Sequence, residues 1–345
     1  MSSNPPQQSA NRIPTIYVAL SSGMRAELEF DHYLHRLHAI GTVHLWEGVG
    51  SPSTAFVDEA LERATVLVTG WGVPYLAALE TWTPATSQLR LVAHAAGTVK
   101  SLVPYAAVQR GLLVSRANHS LVESVAEFTI GALIMARRRA FVAAERYRAG
   151  AALVPIVSQR ELRGSTIGII GASAIGKGVM ELLQPFGARI LLADPYATEA
   201  LAAQYQATLV DLGTLLAQSD IVSLHAPVTP ETIGMLGAAQ FAAMRDGALF
   251  VNTARARLVD MPALLAELQS GRLSALLDVT EPDEPLPVDS PFFALDNCTV
   301  LPHMAAVTRD ARLRQSEICV GDVERFVDGS PLLHGVDVAQ WERMA

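Results

Sequence analysis

Residues 166–176 read Thr166-Ile-Gly-Ile-Ile-Gly171-Ala-Ser173-Ala174-Ile175-Gly176. The first five residues form an apolar, β-branched run that predicts a buried strand, and Gly171 follows it directly. Gly171 permits a tight turn, Gly176 lets the next helix pack closely on the strand, and the start of that helix offers unpaired N–H groups to a pyrophosphate. We therefore predict a dinucleotide-binding turn with contacts from Gly171, Ser173, Ala174, Ile175 and Gly176.

The middle glycine of the usual G-x-G-x-x-G fingerprint is replaced by Ser173. Serine is small enough to tolerate the close approach of a ligand, and its hydroxyl can form a hydrogen bond. We keep the prediction of a cofactor site. A glycine-containing turn that binds no ligand is the alternative interpretation of the motif alone.

Asp194 directly follows the next predicted strand and lies 23 residues after Gly171. A carboxylate at this spacing binds the ribose 2′-hydroxyl of a dinucleotide. Residues 195–200 contain no Arg or Lys that would neutralise a 2′-phosphate, and a carboxylate would repel one. We predict NAD rather than NADP; a helix-capping aspartate is the simpler alternative.

Apolar runs alternate with amphipathic stretches along the whole chain, which is typical of parallel sheets covered by helices. The predicted strands of the cofactor domain are Thr166–Ile170, Arg189–Ala193, Ile221–His225, Ala248–Asn252, Ala275–Val279 and Thr299–Leu301. An earlier series comprises Thr15–Leu20, Thr65–Thr69, Leu89–His94 and Leu112–Ser115. One long helix is predicted over Ser120–Ala149, leading into a loop that contains Pro155, and a final helix over Arg309–Val327.

These patterns predict an α/β protein of two Rossmann-like domains. Residues 121–304 would form a doubly wound parallel sheet that binds the cofactor. Residues 1–120 and 305–345 would form a smaller, flavodoxin-like substrate domain. A length of 345 residues is sufficient for two such cores.

The composition excludes several classes of protein. The net charge is -8 and the only basic run is Arg137–Arg139, so we expect no nucleic-acid partner. Cys298 and Cys319 cannot supply a disulfide framework or a zinc site, which favours a reducing cytoplasm. Met1–Pro14 is polar, without the apolar core of a signal peptide, and we expect it to be disordered. No 18-residue apolar run is found, so we expect no membrane span.

Polar residues follow four predicted strands at their C-terminal ends, where open α/β sheets bind ligands. They are His225, Arg255, Asp278 and His303. Each alone has a structural explanation as a capped strand end, a solvated charge or a core histidine. Together they predict a ligand site at this edge of the sheet.

At this point the chain resembles the D-isomer-specific 2-hydroxyacid dehydrogenases, the family of phosphoglycerate dehydrogenase and glyoxylate/hydroxypyruvate reductase. The resemblance begins with the fingerprint and Asp194 and covers most of the chain. Its further motifs are Val125–Glu127, Val222–Thr232, Met244–Arg255, Leu277–Val279, Glu284–Pro287 and Leu301–His303. The resemblance implies an NAD-dependent enzyme that acts on a small 2-hydroxy or 2-oxo acid.

The resemblance implies a catalytic trio of Arg255, Glu284 and His303. Histidine titrates near neutrality and can accept the hydroxyl proton as hydride leaves the substrate. A neighbouring carboxylate stabilises the imidazolium and fixes the orientation of the ring. Arginine can bind the substrate carboxylate and polarise the 2-oxo group. This chemistry requires no metal.

Further contacts are implied by the same resemblance. Those to the cofactor would come from His225, Pro227, Thr232, Thr253, Ala254 and Asp278. The segment His94–Lys100 looks like the loop whose backbone N–H groups hold the substrate carboxylate, with Gly97 and Thr98 as the binding residues. We also expect a homodimer built around residues 120–149, because a long apolar helix needs more cover than one domain offers.

The sequence departs from the family pattern at three places. Ala256 stands where a glycine usually follows the catalytic arginine, and a need for positive φ there would strain the loop. Leu121 stands in place of the usual asparagine. The loop after Asp278 is one residue longer than usual, so counting forward selects Asp283, whereas matching Pro-Leu-Pro selects Glu284. We choose Glu284.

Two other functions are compatible with the same scaffold. One is an NAD-sensing, corepressor-like binding protein, which the presence of Arg255, Glu284 and His303 disfavours. The other is a formate or phosphonate dehydrogenase, whose substrates have different shapes.

Overall fold

The computed structural model describes residues 13–151 and 159–343. The contacts divide the chain into two compact units, Met1–Ser120 with Arg309–Ala345, and Leu121–Thr308. The sequence prediction places its second boundary at 304/305, four residues before this one. The loop predicted around Pro155 and nearly all of the N-terminal stretch predicted as disordered lie outside the described residues.

The first unit contains a five-stranded parallel sheet in the order β2-β1-β3-β4-β5, which is the flavodoxin-like order. Its strands are β1 (Thr15–Ala19), β2 (Thr42–Leu45), β3 (Val66–Thr69), β4 (Leu91–His94) and β5 (Leu113–Arg116). Strand β2 was not predicted from the sequence. It lies at the sheet edge and none of its residues is fully buried, so it lacks the continuous apolar run of the central strands.

Helices cover both faces of this sheet in the first unit. They are α1 (Ser22–Glu27), α2 (Leu34–Ile40), α3 (Thr54–Arg63) and α4 (Tyr105–Gln109), together with the C-terminal α12 (Arg309–Asp328). Helix α3 begins where Ser53 accepts a hydrogen bond from the Phe56 N–H. Helix α12 buries Val320 and Val323 in the same core cluster as Ile16 and Val18 of β1. The final helix therefore belongs to the first unit, as the sequence predicted.

The second unit contains a seven-stranded parallel sheet in the order β12-β11-β10-β9-β6-β7-β8. Its strands are β6 (Thr166–Ile170), β7 (Arg189–Ala193), β8 (Ala207–Leu209), β9 (Ile221–Leu224), β10 (Leu249–Asn252), β11 (Ser274–Leu277) and β12 (Cys298–Val300). Apart from β12, this is the doubly wound order of dinucleotide-binding domains. The predicted fold class is thus confirmed. Among the strands in the described part of this unit, only the short edge strand β8 was not predicted.

Helices lie on both faces of this second sheet as well. They are α5 (Leu121–Arg137), α6 (Ala140–Arg148), α7 (Ala174–Leu183), α8 (Glu199–Gln204), α9 (Leu212–Gln218), α10 (Ala238–Ala243) and α11 (Met261–Gln269). On one face Phe250 packs against Phe241, and on the other face Ile169 and Met180 belong to one core cluster. Burial on both faces explains why the central strands are apolar without alternation.

The prediction of a single helix over Ser120–Ala149 is wrong. Helix α5 ends at Arg137, and Arg139 adopts a left-handed conformation with φ +52° before α6 begins. No glycine or proline marks this break in the sequence.

Helix α5 and the turn before it, Ala117–Arg137, are long and apolar enough to cross a membrane by length and composition alone. Core helices pass the same test. A Cβ atom added to Gly178 of α7 would lie only 3.1 Å from the Ala126 Cβ atom. This close packing against α7 accounts for the small apolar residue at Ala126 of α5.

Candidate active site

The fingerprint turn is shaped by two glycines. Gly171 has φ +97°, and a Cβ atom there would lie 2.7 Å from the backbone nitrogen of Ala226. A Cβ atom on Gly176 would lie 2.2 Å from the Gly171 carbonyl oxygen. Both positions therefore require glycine, the first because of its conformation and both because of close backbone approach.

Ser173 is the N-cap of helix α7. Its backbone is extended, with φ -61° and ψ 172°, and its Oγ accepts a hydrogen bond from the Gly176 N–H at 3.2 Å. The position thus needs no glycine conformation, which explains how serine replaces the family glycine. Ala174 and Ile175 form the first turn of α7, where N–H groups lack partners within the helix. The N–H groups at the start of this helix are suited to bind a pyrophosphate.

Asp194 follows β7 and contacts the fingerprint turn. Its Oδ2 accepts a hydrogen bond from the Ala172 N–H at 2.7 Å, and its Oδ1 accepts one from the Tyr196 N–H at 2.7 Å. Helix α8 is capped instead by Thr198, so the helix-capping alternative for Asp194 is wrong. The carboxylate places a negative charge beside the turn and keeps lone pairs for a further donor.

His225 lies beyond the end of β9 and is buried. Its Nε2 lies 2.8 Å from the Ser223 Oγ, while no partner for its buried Nδ1 is found among the described residues. Burial lowers the pKa of His225 to about 4. The ring is therefore neutral near pH 7 and is unsuited to carry the reaction proton.

The loop that follows His225 is closed by its own side chains. The Thr232 hydroxyl donates to the Pro227 carbonyl oxygen at 2.7 Å, and its oxygen accepts from the Thr229 N–H at 2.8 Å. Both predicted cofactor residues of this loop therefore have a visible role in shaping it.

Arg255 follows β10 and has an exposed side chain. Its Nη1 donates to the Ala254 carbonyl oxygen at 2.6 Å. The neighbouring Thr253 is buried, and its hydroxyl lies 3.1 Å from that of Thr129 on α5. Ala256 begins a right-handed 3-10 turn, so the strain that a positive φ would have caused at this position does not arise.

His303 lies just beyond β12 and adopts a left-handed backbone with φ +53°. Its Nδ1 lies 3.0 Å from the Glu284 Oε1, and both side chains remain accessible, with relative exposures of 43% and 41%. Of the other acidic side chains of this loop, Glu281 pairs with Arg257 at 3.6 Å. Asp283 forms a backbone contact, in which its carbonyl oxygen accepts from the Thr280 hydroxyl at 2.7 Å.

Asp278 follows β11 and is almost completely buried. Its Oδ1 and Oδ2 accept hydrogen bonds from the N–H groups of Met304 and Ala305, each at 2.9 Å. Burial raises the pKa of Asp278, and these two hydrogen bonds act in the opposite direction. Both oxygens of this predicted cofactor residue are thus directed at the backbone that carries His303.

Arg255, Asp278 and His303 follow β10, β11 and β12, which are consecutive in the sheet. The structure therefore brings the strand-end residues to neighbouring positions on one sheet edge. Sequence reasoning assigned no role to Asn252, a buried residue whose side chain bonds the loop of Arg255.

Gly97 and Thr98 lie in the first unit, in the loop that follows β4. The loop is anchored where the Ala95 N–H donates to the Thr69 carbonyl oxygen at 2.8 Å and the Ala117 N–H donates to the Ala96 carbonyl oxygen at 3.0 Å. A Cβ atom on Gly97 would lie 3.3 Å from the Asn118 Oδ1, and Thr98 is exposed. The loop thus presents backbone without a bulky side chain at Gly97.

The family model described as the D-isomer specific 2-hydroxyacid dehydrogenase, NAD binding domain, matches residues 130–305. This range contains the fingerprint turn, Asp194 and the three strand ends described above. The NAD prediction agrees with this description.

Two curated relatives illustrate the similarity. A glyoxylate reductase of Korarchaeum cryptofilum is 34% identical over 291 residues, covering 83% of this chain and 86% of the relative. A D-3-phosphoglycerate dehydrogenase of Archaeoglobus fulgidus is 35% identical over 259 residues, covering 75% of this chain. The chain spans about half the length of the phosphoglycerate dehydrogenases that it matches, 49% in this case.

Solved structures agree on the fold. A protein from Thermus thermophilus is 29% identical with a TM-score of 0.72, covering 94% of this chain and 100% of its own. A D-isomer specific 2-hydroxyacid dehydrogenase from Lactobacillus delbrueckii, solved as the NAD complex, is 22% identical with a TM-score of 0.77, covering 94% and 99%.

Proposed function

The chain belongs to the D-isomer-specific 2-hydroxyacid dehydrogenase family, and on this premise we propose that it is an enzyme that transfers hydride between NAD(H) and a small 2-hydroxy or 2-oxo acid. The observation that carries the proposal is the contact between His303 and Glu284 at 3.0 Å, with both groups accessible to a ligand. When bound, NADH supplies the hydride.

His303 is the proton carrier in this proposal. In the reductive direction its imidazolium donates a proton to the 2-oxo oxygen while the carbonyl carbon accepts hydride, and in the oxidative direction the neutral ring takes the hydroxyl proton. Glu284 contacts Nδ1, so Nε2 is the nitrogen available to the substrate. The carboxylate holds the ring in one orientation.

Arg255 binds the substrate carboxylate and polarises the 2-oxo group. Its guanidinium is exposed and, among the described residues, bonds only the Ala254 carbonyl oxygen, so its remaining donors are available. Charge develops on the 2-oxo oxygen as hydride arrives, and a fixed cation stabilises that charge.

The cofactor preference follows from the charge beside the fingerprint turn. Asp194 accepts from the Ala172 N–H and would accept a ribose 2′-hydroxyl with a remaining lone pair. A 2′-phosphate there would meet a carboxylate without a neighbouring cation at residues 195–200. We therefore propose NAD over NADP.

A corepressor-like NAD sensor is the competing function from another class. Such a protein has no need of an accessible histidine paired with a carboxylate, which this chain has. A formate or phosphonate dehydrogenase remains the second enzymatic alternative, and substrate tests distinguish it.

A substrate screen tests the proposal directly. Glyoxylate, hydroxypyruvate, pyruvate and larger 2-oxo acids are incubated with NADH, and loss of nicotinamide absorbance is followed. We expect saturable turnover of at least one 2-oxo acid. NADH binding without turnover of any of them would favour the sensor, while NAD⁺ reduction by formate or phosphonate alone would favour the second alternative.

We also propose that the chain forms a homodimer through the α5–α6 region. Ile134 and Met135 of α5 are 37% and 41% exposed, and α6 buries none of its residues within the chain. Apolar side chains that are exposed to solvent in this way favour association with a second copy of the chain. Sedimentation of the wild-type chain and of Ile134→Glu tests this, and a monomeric wild type would contradict it.

A further inference from the structure

Asn252 is the last residue of β10 and is completely buried. Its Oδ1 accepts a hydrogen bond from the Ala254 N–H at 3.0 Å, and its Nδ2 donates to the Arg255 carbonyl oxygen at 3.1 Å. One carboxamide thus satisfies both a donor and an acceptor of the loop. Few side chains can do this, because an amide combines a donor and an acceptor in one short planar group.

These two hydrogen bonds bracket Arg255 along the chain. The first holds the peptide group that precedes Ala254, and the second holds the carbonyl group of Arg255 itself. Between them the Arg255 backbone is extended, with φ -149° and ψ 140°, and a 3-10 turn begins at the next residue. Asn252 therefore constrains the direction of the Arg255 Cα–Cβ bond.

The Arg255 side chain depends on this backbone constraint. Its only hydrogen bond among the described residues goes to the carbonyl oxygen of Ala254, its immediate neighbour. No carboxylate pairs with the guanidinium in the described part of the chain. The direction of the guanidinium group is thus determined by the backbone rather than by side-chain partners.

We propose that Asn252 is a positioning residue that directs the Arg255 guanidinium toward the carboxylate and 2-oxo group of the substrate. The inference rests on the proposed function, in which Arg255 binds the substrate. Small displacements of such a group cost about 100-fold in rate when they spoil the alignment of the reacting atoms.

The loop has anchors other than Asn252, so its role is separable from folding. Thr253 pairs with Thr129, and the Asn252 backbone stays in the sheet, where its carbonyl oxygen accepts from the Asp278 N–H at 3.0 Å. Replacing the Asn252 side chain leaves both of these anchors in place. We therefore expect Asn252→Ala to fold with a loosened Arg255 rather than to lose the loop.

A double-mutant cycle between Asn252→Ala and Arg255→Gln tests the proposal. In the wild-type background, Asn252→Ala should lower kcat/KM for the 2-oxo acid by about 10- to 100-fold. In the Arg255→Gln background, the same substitution should change kcat/KM by less than about threefold, because the group that it directs is gone. The Kd for NADH is measured for each variant and kcat/KM is compared at saturating NADH, because Asn252 also holds the N–H of Ala254, a predicted cofactor residue.

Asn297→Ala is the matched control. The Asn297 Nδ2 donates to the carbonyl oxygens of Leu268 and Leu273, at 2.8 and 2.7 Å, and so ties a loop before β12 instead of the active-site edge. This variant should lose thermal stability and keep kcat/KM within about twofold.

Equal losses from Asn252→Ala in both backgrounds would overturn the proposal, because Asn252 would then act independently of Arg255. If Asn252→Ala fails to fold, Asn252→Asp replaces it, since Asp keeps the acceptor for the Ala254 N–H and loses the donor to Arg255. The loss of kcat/KM caused by Asn252→Asp should also disappear in the Arg255→Gln background.

Failure of the proposed function is distinguishable from failure of this inference. The same double-mutant cycle can be measured without turnover. The Kd of oxamate, a non-reacting analogue of a 2-oxo acid, is determined for the NADH complex of each variant by fluorescence. If the wild-type chain neither turns over 2-oxo acids nor binds oxamate, both claims fail. If the wild-type chain turns over a 2-oxo acid or binds oxamate, but the effects of Asn252→Ala and Arg255→Gln are additive, only the proposed role of Asn252 fails.

Discussion

Asp278 holds the backbone that follows His303, because its two carboxylate oxygens accept hydrogen bonds from the next two N–H groups. His303 itself has a left-handed backbone conformation. This conformation costs free energy in a non-glycine residue and persists only where the surrounding structure imposes it. A buried carboxylate is thus positioned to hold the proposed proton carrier in place.

Asp278→Asn tests whether these two hydrogen bonds hold His303 in place. The amide offers one acceptor where the carboxylate offers two, so one N–H of the turn loses its partner. We expect kcat/KM for the 2-oxo acid to fall by about 10- to 100-fold, with the Kd for NADH nearly unchanged if the residue acts through His303. A large loss of NADH affinity with normal kcat would instead show that Asp278 serves the cofactor.

The pH dependence of the free energy of unfolding should also differ between the wild type and Asp278→Asn. Because the pKa of Asp278 is raised in the folded state above its usual 3.8, the folded state binds more protons than the unfolded state just above that pH. The stability of the wild type relative to Asp278→Asn should therefore decrease as pH rises from about 3.8 through the raised value. Urea unfolding of both proteins across this range measures the difference, and parallel curves would contradict the prediction.

Glu284→Gln and Asp283→Asn form a matched pair that tests the partner of His303. Glu284→Gln removes the carboxylate that contacts the His303 Nδ1 and holds the ring, so kcat/KM for the 2-oxo acid should fall by about 10- to 100-fold. Asp283→Asn should leave kcat/KM within about twofold of the wild-type value. The opposite result would assign the role to Asp283.

His225 and His94 make a separate pH prediction, because burial lowers the pKa of each to about 4. The unfolded chain takes up protons on both rings below the usual value of 6.5, whereas the folded chain does not. Their contribution to the free energy of unfolding is therefore present above pH 6.5 and is lost as pH falls toward 4. A His225→Gln variant should show a shallower loss over this interval, and an unchanged slope would show that the ring is protonated in the folded state.

The cofactor preference can be tested with Asp194→Ser. For the wild type we expect kcat/KM with NADH to exceed that with NADPH, since the carboxylate repels a 2′-phosphate. The variant should lose much of this ratio. The ratio is the informative quantity because Asp194 also bonds the Ala172 N–H, and loosening the turn affects both cofactors alike. A wild type that uses NADPH equally well would contradict the role of Asp194.

The central elements were predictable because their signals are local. The strand Thr166–Ile170 and the two glycines after it were predicted at their observed positions, since burial on both faces imposes an apolar run and tight turns impose glycine. The edge strands β2 and β8 were not, because short, partly exposed strands carry no such run. The break at Arg139 also lacks a local signal.

The site residues could be named from motifs, but their contacts could not. That Glu284 reaches His303 while Glu281 reaches Arg257 depends on the path of the loop after β11. The direction of the Asp278 carboxylate and the two bonds of Asn252 likewise depend on segments that fold next to them. Spacing along the chain identifies candidate residues, and only packing shows which groups meet.

The turnover of His303→Ala in the reductive direction tests the central claim most directly. We expect kcat to fall by about 10² to 10⁴, the usual contribution of a positioned proton carrier. The Kd for NADH and the melting temperature should stay close to the wild-type values. A variant with nearly normal kcat would show that His303 is structural and would contradict the proposed mechanism.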